Sequence, residues 1–352
     1  MRRVAVVATA QTDLTSGDSE VGTPERAFEV SRAAVEASGL DRGEIAVTLS
    51  ASSDMLEGRS FNFVHGLEAL GTWPPVHESH VEMDGAWAAY AAWVKLLTGE
   101  FDSALVVAWG KTSEGSLPAV LNTQLDPFVL APLGLDHVTT AALQADAYLA
   151  RTGVGMDALD AVAERSAAAG AANLRLSRMD PPREDGPAAS PLWRRHLPRE
   201  ADGACAIVLA AEGTAERLCE RPAWIAGADH RTETGALGHR DLSRSPATEL
   251  AATRARELAG WDDAAVDVAE IGASFAHQEP LLREALGLDA GADVNPSGGP
   301  MAADPLMSTG LIRLAEAASR VMAGTARRAL AHASAGHALQ QSMVWLLDGV
   351  AP

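Results

Sequence analysis

Short apolar runs alternate along this chain with longer stretches in which apolar positions recur every three or four residues. Val4 to Ala10 is apolar almost throughout, as a strand covered on both faces should be. Thr23 to Ala37 has helical spacing, with Thr23 placed to cap, Pro24 in the first turn and Gly39 as the stop. A second buried strand is predicted at Ile45 to Leu49. A further helix is predicted at Asn62 to Leu70, closed by Gly71 and broken by Pro74-Pro75. From His80 to Gly110 the pattern is an extended run, a turn at Asp84-Gly85, an amphipathic helix and a buried strand. In that helix Ala88, Ala91, Ala92 and Lys95 share a spacing, and Gly99 ends it.

Two helices follow, His137 to Ala150 and Met156 to Ala172. Gly153-Val154-Gly155 between them reads as a helix-to-helix turn, because no strand precedes it and no third glycine completes a nucleotide loop. Pro181-Pro182, Pro187, Pro191 and Pro198 mark a surface loop. Asp202-Gly203-Ala204 leads into a buried strand at Cys205 to Ala210. A second series then repeats the order of the first: a strand at Trp224 to Ala228, a helix at Ser245 to Leu258, a strand at Val266 to Ile271 and a helix at Glu279 to Leu286. Strands alternating with helices imply an α/β sheet with helices on both faces.

The composition narrows the function. A chain of 352 residues, 47% hydrophobic, can bury a large core. Its 47 acidic and 28 basic residues give a net charge of −19, which argues against nucleic acid as a partner and predicts that any phosphate-bearing ligand needs a local basic patch. Two cysteines, Cys205 and Cys219, are too few for a disulfide framework or a zinc site, and Cys205 lies inside an apolar strand. The opening residues read as a strand and no run has the length of a membrane span, so a cytoplasmic protein is expected. His77 and His80 with Glu82 do not fall on one level of an extended chain, and no metal is expected.

The turn at Asp84-Gly85 is where chemistry is expected. A helix start carries free N–H groups and the positive end of the dipole, both of which favour an anion. This stretch resembles the nucleophile segment of the thiolase superfamily, a Cys-Gly-Ser-Gly turn opening a buried helix that ends in Gly and an acidic residue. Counting back from Gly99-Glu100 puts Glu82-Met83-Asp84-Gly85 on the four positions, so Glu82 stands for the cysteine, or Asp84 if the register slips by two. The run Val294-Asn295-Pro296-Ser297-Gly298-Gly299, followed by Asp304-Pro305 and a helix from Pro305 to Met322, is similar to the family's Gly-Gly loop and Gly-His-Pro turn. It is most like the lipid-transfer (sterol-carrier) branch, with Asp304 in place of the histidine. Gly272-Ala273-Ser274-Phe275, with His277 beyond it, matches the Asn-Glu-Ala-Phe segment. His332 matches the second cysteine, before the turn Ser334-Ala335-Gly336.

The resemblance implies a five-layered αβαβα thiolase-like fold in two pseudo-repeated halves, 1–213 with a reduced loop or cap region at 113–200, and 214–352. It also implies a coenzyme A (CoA) thioester as substrate, with no covalently bound cofactor. Acyl transfer through cysteine is not expected. Glu82, Asp304, His332 and His277 are the candidate catalytic residues, expected to converge on one pocket. Asp84, Gly298, Gly299, Gly336 and His337 are the candidate substrate contacts. Such a set suits retro-aldol cleavage of a β-hydroxyacyl-CoA. Relatives that shorten sterol side chains are aldolases working with a zinc-ribbon OB-fold partner and using tyrosines, whereas this chain has only Tyr90 and Tyr148. Each candidate also has a plain structural reading: Glu82, Asp84 or Asp304 as a helix cap, and His332 or His337 as a backbone tie. The alternative function is a non-catalytic subunit that pairs with an active paralogue, or with itself as a dimer, through the strand after the nucleophile helix.

Overall fold

The apolar runs become strands because they have nothing polar to expose on either side. The computed structural model describes residues 2–17, 20–72, 75–182, 184–261 and 265–352, so the break expected at Pro74-Pro75 lies partly outside the described residues. Ten strands make one sheet: β1 (Val4–Gln11), β2 (Val47–Ala51), β3 (His77–Val81), β4 (Ser103–Lys111), β7 (Asp202–Ala211), β8 (Ala223–Thr232), β9 (Val268–Ile271), β10 (Asp293–Val294), β11 (Arg328–Ala335) and β12 (Gln341–Asp348). Two short strands in the proline-rich loop, β5 (Pro187–Ala189) and β6 (Leu192–Trp193), form a hairpin of their own. β4 and β7 are buried at every position, as strands covered on both faces must be.

The sheet order is β10-β9-β11-β12-β8-β1-β7-β4-β2-β3. Read outward from the centre, the halves repeat one another. β1 pairs antiparallel with β7 and β7 with β4, after which β4, β2 and β3 run parallel. β8 pairs antiparallel with β12 and β12 with β11, after which β11, β9 and β10 run parallel. The halves meet where β1 and β8 pair at Ala5↔Trp224 and Val6↔Ala223. β4, the strand after the Gly85–Leu97 helix, has both edges taken by β2 and β7, so it cannot serve as a docking edge; among the described residues the open edges are β3 and β10.

The long helices are α1 (Thr23–Ser38), α3 (Gly85–Leu97), α5 (His137–Thr152), α6 (Met156–Ala172), α8 (Pro246–Ala259), α9 (Gln278–Ala285) and α11 (Thr309–Met322). Short turns of helix occur at α2 (Asp54–Glu57), α4 (Leu117–Asn122), α7 (Ala215–Leu218) and α10 (Gly299–Ala302). α3 and α11 share one core cluster with strands of both halves, through Ala88, Ala92, Leu311 and Ala315. α1 covers the other face of the first half, and α8 and α9 cover that of the second. Among the described residues no helix is long and apolar enough to cross a membrane.

Most strand and helix ends fall within a few residues of the sequence reading, and three differences have an identifiable local cause. Gly22, not Thr23, is the N-cap of α1, with no side-chain bond. The segment predicted as a helix from Asn62 to Leu70 is a 3-10 turn over Asn62–Gly66. Asp54 draws the Phe61 and Asn62 N–H groups onto its carboxylate at 2.6 and 2.9 Å, and Phe61 takes a left-handed φ of 56°. The last long helix begins at Thr309, because Leu306 has φ 48° and only a 3-10 turn fits between. That turn approaches β4 at Gly110, where a Cβ would overlap the Pro305 carbonyl.

The starts of α3 and α11 touch. A Cβ on Gly310 would overlap both the Asp84 carboxylate and the Ala333 methyl, and one on Gly85 would stand 2.8 Å from the Leu311 Cβ. Gly310→Ala is therefore expected to cost about 1–3 kcal/mol, read as a lower urea midpoint at unchanged slope. Gly43→Ala, where a Cβ meets nothing within 4 Å, should stay within about 0.5 kcal/mol and serves as the control.

Candidate functional site

Asp84 sits where the two central helix starts meet. It is the N-cap of α3, buried, and its Oδ1 accepts from the Ala86 N–H at 2.7 Å. Its Oδ2 accepts from the Gly310 N–H, the second residue of α11, at 2.7 Å. One carboxylate thus satisfies a free N–H from each of two helices. Burial pushes its pKa up to about 7; the two N–H bonds pull it down, the charge of Asp304 pushes it up, and Arg313 pulls it down. Arg313 lies buried one turn along α11, paired with Glu270 of β9 at 2.6 Å and bonded to Ser297 at 2.6 Å.

Asp84 opens onto a cavity of about 550 Å³. Its walls are the starts of α3, α5 and α11, the loop after β9, and the turn joining β11 to β12. Asp304 lies on the same wall. Its Oδ2 accepts from the Ser274 hydroxyl at 2.8 Å, and its Oδ1 accepts from the Thr309 hydroxyl at 2.6 Å and the Leu306 N–H at 3.1 Å. Two imidazoles also line the cavity. His337 Nε2 donates to the Leu121 carbonyl at 3.2 Å, and burial lowers its pKa. His137 is the first residue of α5; its Nδ1 has no hydrogen-bond partner, and burial lowers its pKa against the pull of Asp136. Both rings are therefore favoured in the neutral form, and in His137 the helix dipole acts the same way.

The structure brings together only part of the expected set. Glu82, Asp84, Asp304, Gly336 and His337 line the cavity. Glu82 stands at the rim with a side chain 48% exposed, where it accepts from the Asp54 N–H at the start of α2 and lies 3.3 Å from His80. Of the two residues weighed for the cysteine position, Asp84 is the buried one at the helix start. His332 does not join the pocket, contrary to the expected convergence. Strand alternation puts Ala331 and Ala333 toward α3 and α11, and His332 on the opposite face, where its Nδ1 accepts from the Gly272 N–H at 3.3 Å. Burial pushes its pKa down to about 3.

His277 is likewise buried behind the wall, its pKa pushed down to about 3 by burial, and its Nε2 donates to Gln144 Oε1 at 3.1 Å. Gly298 and Gly299 lie away from the cavity, contrary to the reading as substrate contacts. Their loop anchors α6, whose Ser166 hydroxyl donates to the Gly298 carbonyl at 2.6 Å. His137 was not singled out from the sequence. Its signal was Asp136-His137 at a helix start, where a histidine is disfavoured as a cation. Neither tyrosine reaches the lining: Tyr90 packs on Trp93 and His230, and Tyr148 lies in the core near α8. Among the described residues no group of three or more His, Cys, Asp or Glu could hold a metal.

The ten-stranded sheet, its two central helices and the cavity at their starts define a mixed α/β class of fold. Among solved structures, the "Ltp2-ChsH2(DUF35) aldolase" shares it, with a TM-score of 0.81 over 99% of this chain and 98% of that chain, at 18% identity. The likeness is one of fold. No protein-family model matches the chain, and no curated protein matches it by sequence.

The state of Asp84 has a signature in stability. Folded, it keeps its proton up to about pH 7; unfolded, it loses it near 3.8. The folded chain holds the extra proton between those values, so stability falls as pH rises from about 4 to about 7. Asp84→Asn removes this fall. Urea midpoints should show the variant gaining on the wild type across that range by on the order of 4 kcal/mol, and a difference flat with pH would contradict the raised pKa.

Proposed function

We propose that this chain is a thiolase-like lyase that cleaves a β-hydroxyacyl thioester by a retro-aldol reaction, with a CoA thioester as substrate. What carries the reading is the buried Asp84 carboxylate at two helix starts, facing a cavity it shares with Asp304, in a fold shared with an aldolase. Asp84 is poised near neutrality, the range in which a carboxyl group can both take and return a proton. It would take the β-hydroxyl proton. The Cα–Cβ electron pair then moves into the thioester as an enolate, the β-carbon leaves as a ketone or aldehyde, and Asp84 returns the proton to Cα. Asp304, held by Ser274 and Thr309, opposes ionisation of Asp84 and so keeps it a useful base. His137 lines the cavity in its neutral form and would donate to the enolate oxygen from Nε2, since its Nδ1 is buried and His337 Nε2 is already engaged by Leu121.

The repeated strand order supports reading 1–213 and 214–352 as the two halves, and α3 with α11 as the middle of five layers. The open edge of β3 suits a second copy or a paralogue, and a zinc-ribbon OB-fold chain is the further partner carried over from the resemblance. Sterol or lipid side chains are the acyl class in view, and the cytoplasm is the expected compartment.

The test is release of a carbonyl product and a shortened thioester from a panel of β-hydroxyacyl-CoA substrates, with and without candidate partner chains. Asp84→Asn should lower kcat at least about 100-fold, and Glu82→Ala should leave it within about threefold. The rate should rise with pH through about 7, and Asp304→Asn should move that limb to lower pH by removing the charge that raises Asp84. Cleavage that needs a second chain and survives Asp84→Asn would assign the chemistry to that chain and leave this one the non-catalytic partner.

A further inference from the structure

Backbone strain gathers at the cavity wall. Of the five non-glycine residues with positive φ among the described residues, Leu306, Ala338 and Leu339 line the cavity, and the last two are consecutive, at 52° and 59°. Each such residue costs on the order of 1 kcal/mol or more and persists only where its surroundings hold it. Ala338 and Leu339 lie in the turn between β11 and β12, directly after His337, and both are buried.

What holds the turn is a charged side chain that does not itself line the cavity. The Arg240 guanidinium, 4% exposed, donates from Nη1 to the His337 carbonyl at 2.9 Å and from Nη2 to the Ala338 carbonyl at 2.6 Å. Its Nε is tied to Glu233 Oε2 at 2.6 Å, and Glu233 Oε1 accepts from the Ala247 N–H at the start of α8 at 3.2 Å. The Ala338 carbonyl takes a second bond, from Gln144 Nε2 at 3.1 Å, and Gln144 Oε1 in turn accepts from His277 and Gln278. The left-handed turn is thus fixed from two sides, by a fork anchored on α8 and by an amide anchored on α5.

We propose that Arg240 is a positioning residue for this cavity: its planar fork holds the His337–Leu339 turn in left-handed backbone and so sets the His337 imidazole against the site. This rests on the cavity being the active site. A lysine carries its three N–H donors on a single tetrahedral nitrogen and cannot span Glu233 and two carbonyls in one plane, so Arg240→Lys does not replace it. The buried His277 belongs to the same support, through Gln144, and acts on the wall and not on the reacting atoms.

The test is the titration of the His337 ring by NMR, with its signal assigned by its loss in His337→Gln. The titratable groups facing this ring are Asp136 and His137. In Arg240→Met the turn should open, and His337 should titrate at higher pH, toward the ordinary imidazole range, while the buried His332 signal stays in place. Adding Ala338→Gly, which relieves the positive φ, should bring the His337 titration part of the way back. If Arg240→Met does not fold, the same shift in Arg240→Lys decides. A folded Arg240 variant with an unmoved His337 titration overturns the proposal.

This readout needs no substrate, so it stands or falls apart from the retro-aldol reading. Where cleavage is measurable, Arg240→Lys should lower kcat about 10- to 100-fold with KM within about threefold. An unchanged kcat would leave Arg240 a structural arginine only.

Discussion

The meeting of two helix starts at one carboxylate is the constraint on which this structure depends. Each start brings unsatisfied N–H groups into the core, and Asp84 answers one from α3 and one from α11. That solution requires the helices to approach so closely that Gly85 and Gly310 have no room for a side chain. It also leaves a carboxyl group out of bulk water, beside a second one. The packing demand and the unusual protonation of Asp84 therefore have one origin. A looser join of α3 and α11 would hydrate the carboxylate and return it to an ordinary acid.

Beneath that join lies a second buried charge, Arg313, neutralised by Glu270 and hydrogen-bonded to Ser297. Removing Arg313 or Glu270 alone would leave the other charge uncompensated in the core, which is far costlier than the pair itself. The Glu270 carboxylate reaches the Asn295–Gly299 loop, because Ser297 donates to it from both N–H and hydroxyl. The glycines of that loop pack against α6 and open α10, away from the cavity lining. A single polar layer links β9, this loop and α11.

The elements were legible in the chain to a large degree because strands and helices announce themselves by local spacing. Met156–Ala172 has the ends expected of it, and β4, β7 and the repeated order of the halves follow from apolar runs. The site was legible only in part, because side-chain direction is settled between segments. Asp84 and Glu82 are two residues apart, yet one is buried at a helix start and the other is half exposed at the rim. His332 occupied a suggestive place in the sequence, but alternation along β11 turned it away from the cavity. His137 left only an Asp-His pair at a helix start and Arg240 no motif at all: each matters through what folding sets beside it, a cavity wall in one case and two carbonyls in the other.

The seam between β1 and β8 bears on how the chain is made. β1 lies in the interior of the finished sheet, with β7 on one side and β8 on the other. As the polypeptide leaves the ribosome, β7 can close one edge of β1 once residue 211 has emerged, but the other edge waits for Ala223 and beyond. During that interval an apolar strand, VAVVATAQ, presents open backbone groups at a sheet edge. The nascent first half thus passes through a period in which it is open to mispairing, and arrival of β8 shortens the open edge by pairing with Ala5 and Val6.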